Sequence, residues 1–276
     1  MQNFFNPEND TQIIRQSSKN KGRGLEKLAP GFYSVDNIGE MFQTIIAFEP
    51  VKERDKIIPL EGGILSEVFN KIRIFSKEET KVKYKEMNVA HKLGMIFHGP
   101  QGTGKTCLAS LLIKELVEKK DAICLDFTGI TVSFINSIVE DLRTVQNNML
   151  VLFVDEIDGS IKSQEEQWLT LLDGADSIDN CIIIGCTNHL DKIPDRIKKR
   201  PSRIKYLFEI KAFPIEVYKQ FIVEKIPTIG KEMLNKIAFL SEEQGLTLDE
   251  LKHLLIDYYI EGIQIETNIQ TIKKTI

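Results

Sequence analysis

Short, wholly apolar runs alternate with amphipathic stretches through the middle of this chain. Met95-Ile96-Phe97-His98, the span 122–127, Leu150-Val151-Leu152-Phe153-Val154 and the span 181–186 read as buried strands, and 206–210 as a fifth. Between them, 106–118, 132–145 and 163–172 carry apolar residues at spacings of three and four, as in Leu108, Leu111, Leu112 and Leu116, and read as helices. Ser163 with Glu166 has the form of a capping box opening the last of these. Strands without polar alternation, separated by helices, predict a parallel sheet covered on both faces. Past Pro214 the period is helical throughout: 215–224, 231–241 and 247–261, with Gly245 and Gly262 as stops and Thr247 with Glu250 as a second capping box.

Upstream the pattern weakens. Residues 1–30 are rich in Asn, Gln, Ser and Lys and read as a flexible arm. Phe32-Tyr33-Ser34-Val35 and the span 42–48 look β-like, punctuated by Pro50 and Pro59; 64–75 has helical spacing. The expected organisation is thus an arm over 1–30, a small β-containing extension over 31–63, an α/β domain over 64–212, and an all-helical lid over 213–276.

Composition narrows the function classes. With 276 residues, 42% hydrophobic and 28% charged, the chain suits one large or two smaller soluble domains. A net charge of −4 gives no global pull toward nucleic acid, although a local basic channel stays open. No apolar run is long enough to span a membrane, and the first ten residues have no signal-peptide pattern. Cys107, Cys124, Cys181 and Cys186 have no metal-ligand spacing, and three lie in or beside apolar runs. Reduced core thiols in a cytoplasmic protein are expected. The four histidines form no cluster.

The chemistry concentrates where strands end. Gly99-Pro100-Gln101-Gly102-Thr103-Gly104-Lys105-Thr106 has the form G-x-x-x-x-G-K-[ST], continued by Cys107. Its glycines let successive N–H groups converge on one anion, Lys105 can reach the β- and γ-phosphates, and the Thr106 hydroxyl can ligate Mg²⁺. The following helix contributes its positive end. Asp155 ends the run Leu150–Val154, where a phosphate-loop fold places a second Mg²⁺ group. Glu156 beside it can polarise a water. Asn188 ends the fourth strand and reads either as a γ-phosphate contact or as a turn residue. Arg200 and Arg203, in a basic stretch from Arg196 to Lys205, read either as donors to a neighbouring subunit's phosphates or as a solvated face.

Together these residues resemble the AAA family of ATPases, in the broader AAA+ class. Gly99–Thr106 resembles its Walker A motif, and Leu150–Asp158 its Walker B with a D-E-I-D ending. Leu171-Leu172-Asp173-Gly174 is similar to the L-L-x-x-x-D-G helix end, though shorter, and Cys186-Thr187-Asn188 to the sensor 1 strand end. Asp195–Arg203 resembles the second region of homology, with Arg196 in place of Pro and Ser202 in place of Gly. The resemblance implies ATP and Mg²⁺ on Lys105, Thr106 and Asp155. It implies water activation by Glu156, sensor 1 at Asn188, arginine fingers at Arg200 and Arg203, and a homo-oligomeric ring of six subunits. A protein or protein complex would be the substrate, with a DNA-associated motor or a slow nucleotide-switched scaffold as alternatives. The family's aromatic-hydrophobic-Gly pore loop is absent from Thr128–Phe134; Phe134, at helical spacing from Ile138, reads as core.

Overall fold

A computed structural model describes residues 3–6, 11–17, 27–37, 43–50, 63–173, 178–211 and 213–265. Four strands come first: β1 (Asn3–Asn6), β2 (Thr11–Ser17), β3 (Gly31–Asn37) and β4 (Gln43–Pro50). Helices α1 (Gly63–Phe75) and α2 (Glu78–Glu86) follow. The alternating region then runs β5 (Lys92–His98), α3 (Lys105–Lys120), β6 (Ile123–Asp126), α4 (Val132–Arg143), β7 (Leu150–Val154), α5 (Ile157–Ser163), α6 (Glu165–Asp173), β8 (Cys181–Thr187), α7 (Asp195–Lys198) and β9 (Tyr206–Glu209). Helices α8 (Ile215–Lys225), α9 (Lys231–Gln244) and α10 (Leu248–Tyr259) complete it.

All strands share one sheet, in the order β1-β2-β4-β3-β6-β7-β8-β5-β9. Six consecutive strands, β3-β6-β7-β8-β5-β9, are parallel. The parallel α/β sheet expected from the apolar runs is therefore present, with the lid helices after it. Every residue of β7 and β8 is buried. Their side chains divide between two cores. Val151, Phe153, Ile182 and Ile184 face α1, α3 and the C-terminal helices; Leu150, Leu152, Val154 and Ile183 face α4, α5 and α6. Period two along a strand produces this division, and burial on both faces removes any place for a polar residue.

Three features depart from the sequence reading. β1 and β2 lie within the segment read as a flexible arm, and pair antiparallel with each other and with β4. β3 is an integral strand of the parallel sheet, with Phe32 opposite Cys124 and Tyr33 opposite Leu125. The helix expected over 163–172 is α6, which starts two residues later because the chain breaks at Gln164 (φ −139°, ψ 41°) after α5. The Ser163 hydroxyl donates back to the Gly159 and Ser160 carbonyls, so it closes α5 and does not cap α6. By contrast the Thr247–Glu250 capping box is formed, with both reciprocal bonds. Gly245 ends α9 at φ 62°, a conformation that glycine adopts at little cost. Gly174 and residues 266–276 lie outside the described residues.

Two links position the site. The Tyr218 hydroxyl donates to the Leu246 carbonyl at 2.6 Å and accepts from the Phe213 amide at 3.2 Å, tying the lid to the segment leaving β9. Burial pushes its pKa up to about 12. At the start of the β5–β9 pairing, the Lys205 amide donates to the Gly94 carbonyl at 2.8 Å, and a Cβ on Gly94 would lie 2.3 Å from the Arg203 carbonyl oxygen. Gly94→Ala is expected to push the Arg200–Arg203 turn off the sheet and to cost about 1–3 kcal/mol of stability, read from the urea midpoint. A midpoint equal to wild type would mean the turn yields freely.

Candidate nucleotide site

Four strand ends converge where the topology reverses around β5, the crevice in which open α/β sheets bind ligands. Residues 99–104 form a loop between β5 and α3, with Pro100 and Gln101 at its exposed tip. Gly99 sits at φ 145°, where a Cβ would lie 2.1 Å from the Ile210 carbonyl oxygen. Gly102 and Gly104 also have positive φ, so the backbone curls as the spacing predicts. The Thr103 hydroxyl donates to the Pro100 carbonyl at 2.9 Å and locks the curl. The first helical bond of α3 runs from the Leu108 amide to the Gly104 carbonyl. The amides of Lys105 and Thr106 precede it, in the first turn whose N–H groups an α-helix leaves over.

Lys105 is 7% exposed, and its Nζ donates to the Gly99 and Pro100 carbonyls at 2.9 and 2.6 Å. Burial lowers its pKa, opposed by the nearby Cys186 and Asp155. An ammonium held over the loop by the loop's own carbonyls has little side-chain entropy left to lose if an anion binds there.

Asp155 sits at the end of β7. Its Oδ2 accepts from the Thr106 hydroxyl at 2.9 Å, joining the two sequence motifs at one point across 49 residues. Its Oδ1 accepts from the Glu156 amide at 3.0 Å, and its own amide donates to the Thr128 hydroxyl at 2.9 Å. Glu156 is exposed and left-handed (φ 50°, ψ 42°), a conformation costing a non-glycine residue on the order of 1 kcal/mol or more. It persists because the strand end and α5 on either side fix the turn.

At the end of β8, the Thr187 hydroxyl donates to the buried Asp158 of α5 at 2.5 Å and accepts from the His189 amide at 2.8 Å. This clamp holds the turn carrying Asn188, which is exposed. The two arginines differ. Arg200 is exposed. Arg203 is 11% exposed, with Nε 3.3 Å from Asp173 Oδ2 and Nη1 donating to the Arg196 carbonyl. Arg196, where the family pattern has Pro, bonds Glu165 and Glu166 at 2.5 and 2.8 Å.

Thr128, Asp158 and Asp173 were given no role from sequence, and each supports a site residue. A hydroxyl directly after a strand and before Gly129 was the one available signal for Thr128. Cys124, Cys181 and Cys186 are buried, as expected, and burial raises their thiol pKa values, that of Cys181 to about 12, so none is a ready nucleophile. Cys107 is exposed at the start of α3. No group of three or more His, Cys, Asp or Glu suited to a metal occurs among the described residues. None of the described helices is long and apolar enough to cross a membrane. Phe134 is half-buried against the α4–α6 core and also lines, with Gly129, Ile130 and Thr131, an open depression of about 450 Å³.

Residues 95–212 match the family model described as "ATPase family associated with various cellular activities (AAA)". Among curated proteins, the chain is 30% identical to "ATPase histone chaperone YTA7" of Saccharomyces cerevisiae, over 59% of this chain and 13% of that protein. It is 26% identical to "AAA ATPase forming ring-shaped complexes" of Bifidobacterium adolescentis, over 58% of this chain and 37% of that protein. It is 27% identical to "Proteasome-activating nucleotidase" of Aeropyrum pernix, over 64% of this chain and 47% of that protein. The chain spans less than half the length of each of these relatives.

Proposed function

We propose that this chain, whose residues 95–212 match the AAA family model, is an AAA-family ATPase, and that it binds ATP with Mg²⁺ in the Gly99–Thr106 loop and hydrolyses it at an interface between identical subunits. The observation that carries this reading is the junction of Lys105, Thr106 and Asp155, with Glu156 beside it. Mg²⁺ suits the donor set. Thr106 Oγ1 and Asp155 Oδ2 are hard oxygens 2.9 Å apart, and this ion is held by one or two protein oxygens plus phosphates and water. When bound it would neutralise charge on the β- and γ-phosphoryl oxygens.

The protein's own groups do the rest. Lys105 and the α3 amides hold the phosphates, Asn188 orients the γ-phosphoryl group, and Glu156 takes a proton from the attacking water. Arg200 of a neighbouring subunit completes the site. Such a site works only in an assembly, and a ring of six subunits is the expected form; one relative is described as forming ring-shaped complexes. Turnover would remodel a protein or protein complex in the cytoplasm. Relatives described as a histone chaperone and a proteasome-activating nucleotidase favour a protein substrate over nucleic acid, as does the net charge of −4. Lys105→Ala is expected to weaken ATP binding by about a hundredfold or more, since a charge-assisted contact is lost where burial has already stripped its water. Calorimetric titration with ATP checks it, and unchanged affinity would place the nucleotide elsewhere.

A further inference from the structure

The lid meets the phosphate loop through the first turn of α10. The Asp249 amide donates to the Gly102 carbonyl at 3.4 Å. A Cβ built on Gly102 would lie 3.0 Å from Thr247 Oγ1 and 3.2 Å from the Asp249 Cβ. A Cβ built on Gly104 would lie 3.4 Å from Leu248 Cδ1 and 3.9 Å from both the Phe213 ring and the Cys107 Cβ. The loop is therefore roofed on one flank by apolar Leu248 and Phe213 and by the exposed residue Asp249. Lys105, Thr106 and Asp155, which fix the terminal phosphates in the function proposed above, are bonded to the loop and to each other rather than to the lid.

In this reading the nucleoside leaves the loop on the lid side. It meets there an apolar wall suited to a base and a carboxylate that accepts hydrogen bonds and donates none. Helix capping does not need this carboxylate, because Thr247 and Glu250 already satisfy each other. A negative group beside an anion-binding loop opposes phosphate unless the ligand brings it donors. The donors next to a nucleotide's phosphates are its ribose hydroxyls, which carboxylates accept from in other nucleotide-binding folds.

We propose that Asp249 reads the ribose hydroxyls of the nucleotide, making this lid the element that separates ribonucleotides from deoxyribonucleotides. The inference rests on the nucleotide-site reading above. Calorimetric titration of the full chain with ADP, 2′-deoxyADP and 3′-deoxyADP in Mg²⁺ buffer tests it. Wild type should bind ADP about tenfold more tightly than at least one deoxy form, the worth of one charge-assisted hydrogen bond at a partly exposed site. Asp249→Asn and Asp249→Ala should each compress that ratio to about twofold while changing deoxy affinity by no more than about threefold.

Equal affinities in wild type overturn the proposal. So does an Asp249→Ala variant that tightens all three ligands together, which would make the carboxylate a repulsive neighbour of the phosphates. Uniform weakening with a lowered melting temperature overturns it as well, leaving Asp249 as a helix-dipole residue. A wild-type chain that binds no ADP removes the nucleotide-site reading itself, a failure distinct from equal binding.

Discussion

Glu156→Gln should bind ATP as wild type does and hydrolyse it about 10²–10⁴ times more slowly, the usual range for loss of a positioned general base. Lys105, Thr106 and Asp155 make the contacts that hold phosphate in the proposed site, and none depends on the Glu156 side chain. The backbone also stays where it is. Glutamine meets the same cost as glutamate at φ 50°, and the Glu156 amide still donates to Asp155 Oδ1. Only proton acceptance is removed. Steady-state phosphate release against equilibrium titration separates the two quantities. Hydrolysis at the wild-type rate would show that another group activates the water, and joint loss of binding would show that the left-handed turn had collapsed. The slow variant would also accumulate the ATP-bound assembly, so particle images would reveal whether a ring forms and what lies in its centre.

The parts of this site that were legible in the sequence are those whose chemistry is local. Gly99, Gly102 and Gly104 have positive φ because the spacing of a phosphate loop demands it. Leu150–Val154 matched its strand residue for residue, because five successive apolar positions followed by an acid leave little else to form. What escaped was set by pairing across distance. The place of β3 beside β6 depends on a parallel register between residues some ninety positions apart, of which a short β-like run carries no trace. The Ser163–Glu166 pattern was genuine as spacing. The Ser163 hydroxyl found nearer acceptors one turn back, and the chain broke at Gln164. Thr128 left only the faint signal of a hydroxyl directly after a strand, because its partner is a backbone amide, which has no signature of its own in sequence.

The two arginines were equivalent in the sequence and are not in the structure, and Arg200→Ala is therefore expected to have the larger catalytic effect. Arg200 is exposed, with its guanidinium available to another subunit. An arginine supplied in trans to a phosphoryl-transfer site is worth about 10³–10⁵ in rate. Its removal should lower hydrolysis by about 10³ while leaving the nucleotide affinity of a single subunit unchanged. Arg203 is held by Asp173 and the Arg196 carbonyl. Arg203→Ala should instead destabilise the chain by about 0.5–1.5 kcal/mol by removing its bonds to those acceptors, with activity falling as the turn loosens. Mixing decides between action in trans and in cis. Arg200→Ala subunits keep an intact Glu156, and Glu156→Gln subunits keep an intact Arg200, so a mixture of the two inactive variants should recover hydrolysis at the interfaces that pair one with the other. A mixture as inactive as its components would place Arg200 in its own subunit's site. An unfolding midpoint lowered by Arg200→Ala as much as by Arg203→Ala would make both arginines parts of the turn, and would take the inter-subunit catalytic role away from this segment.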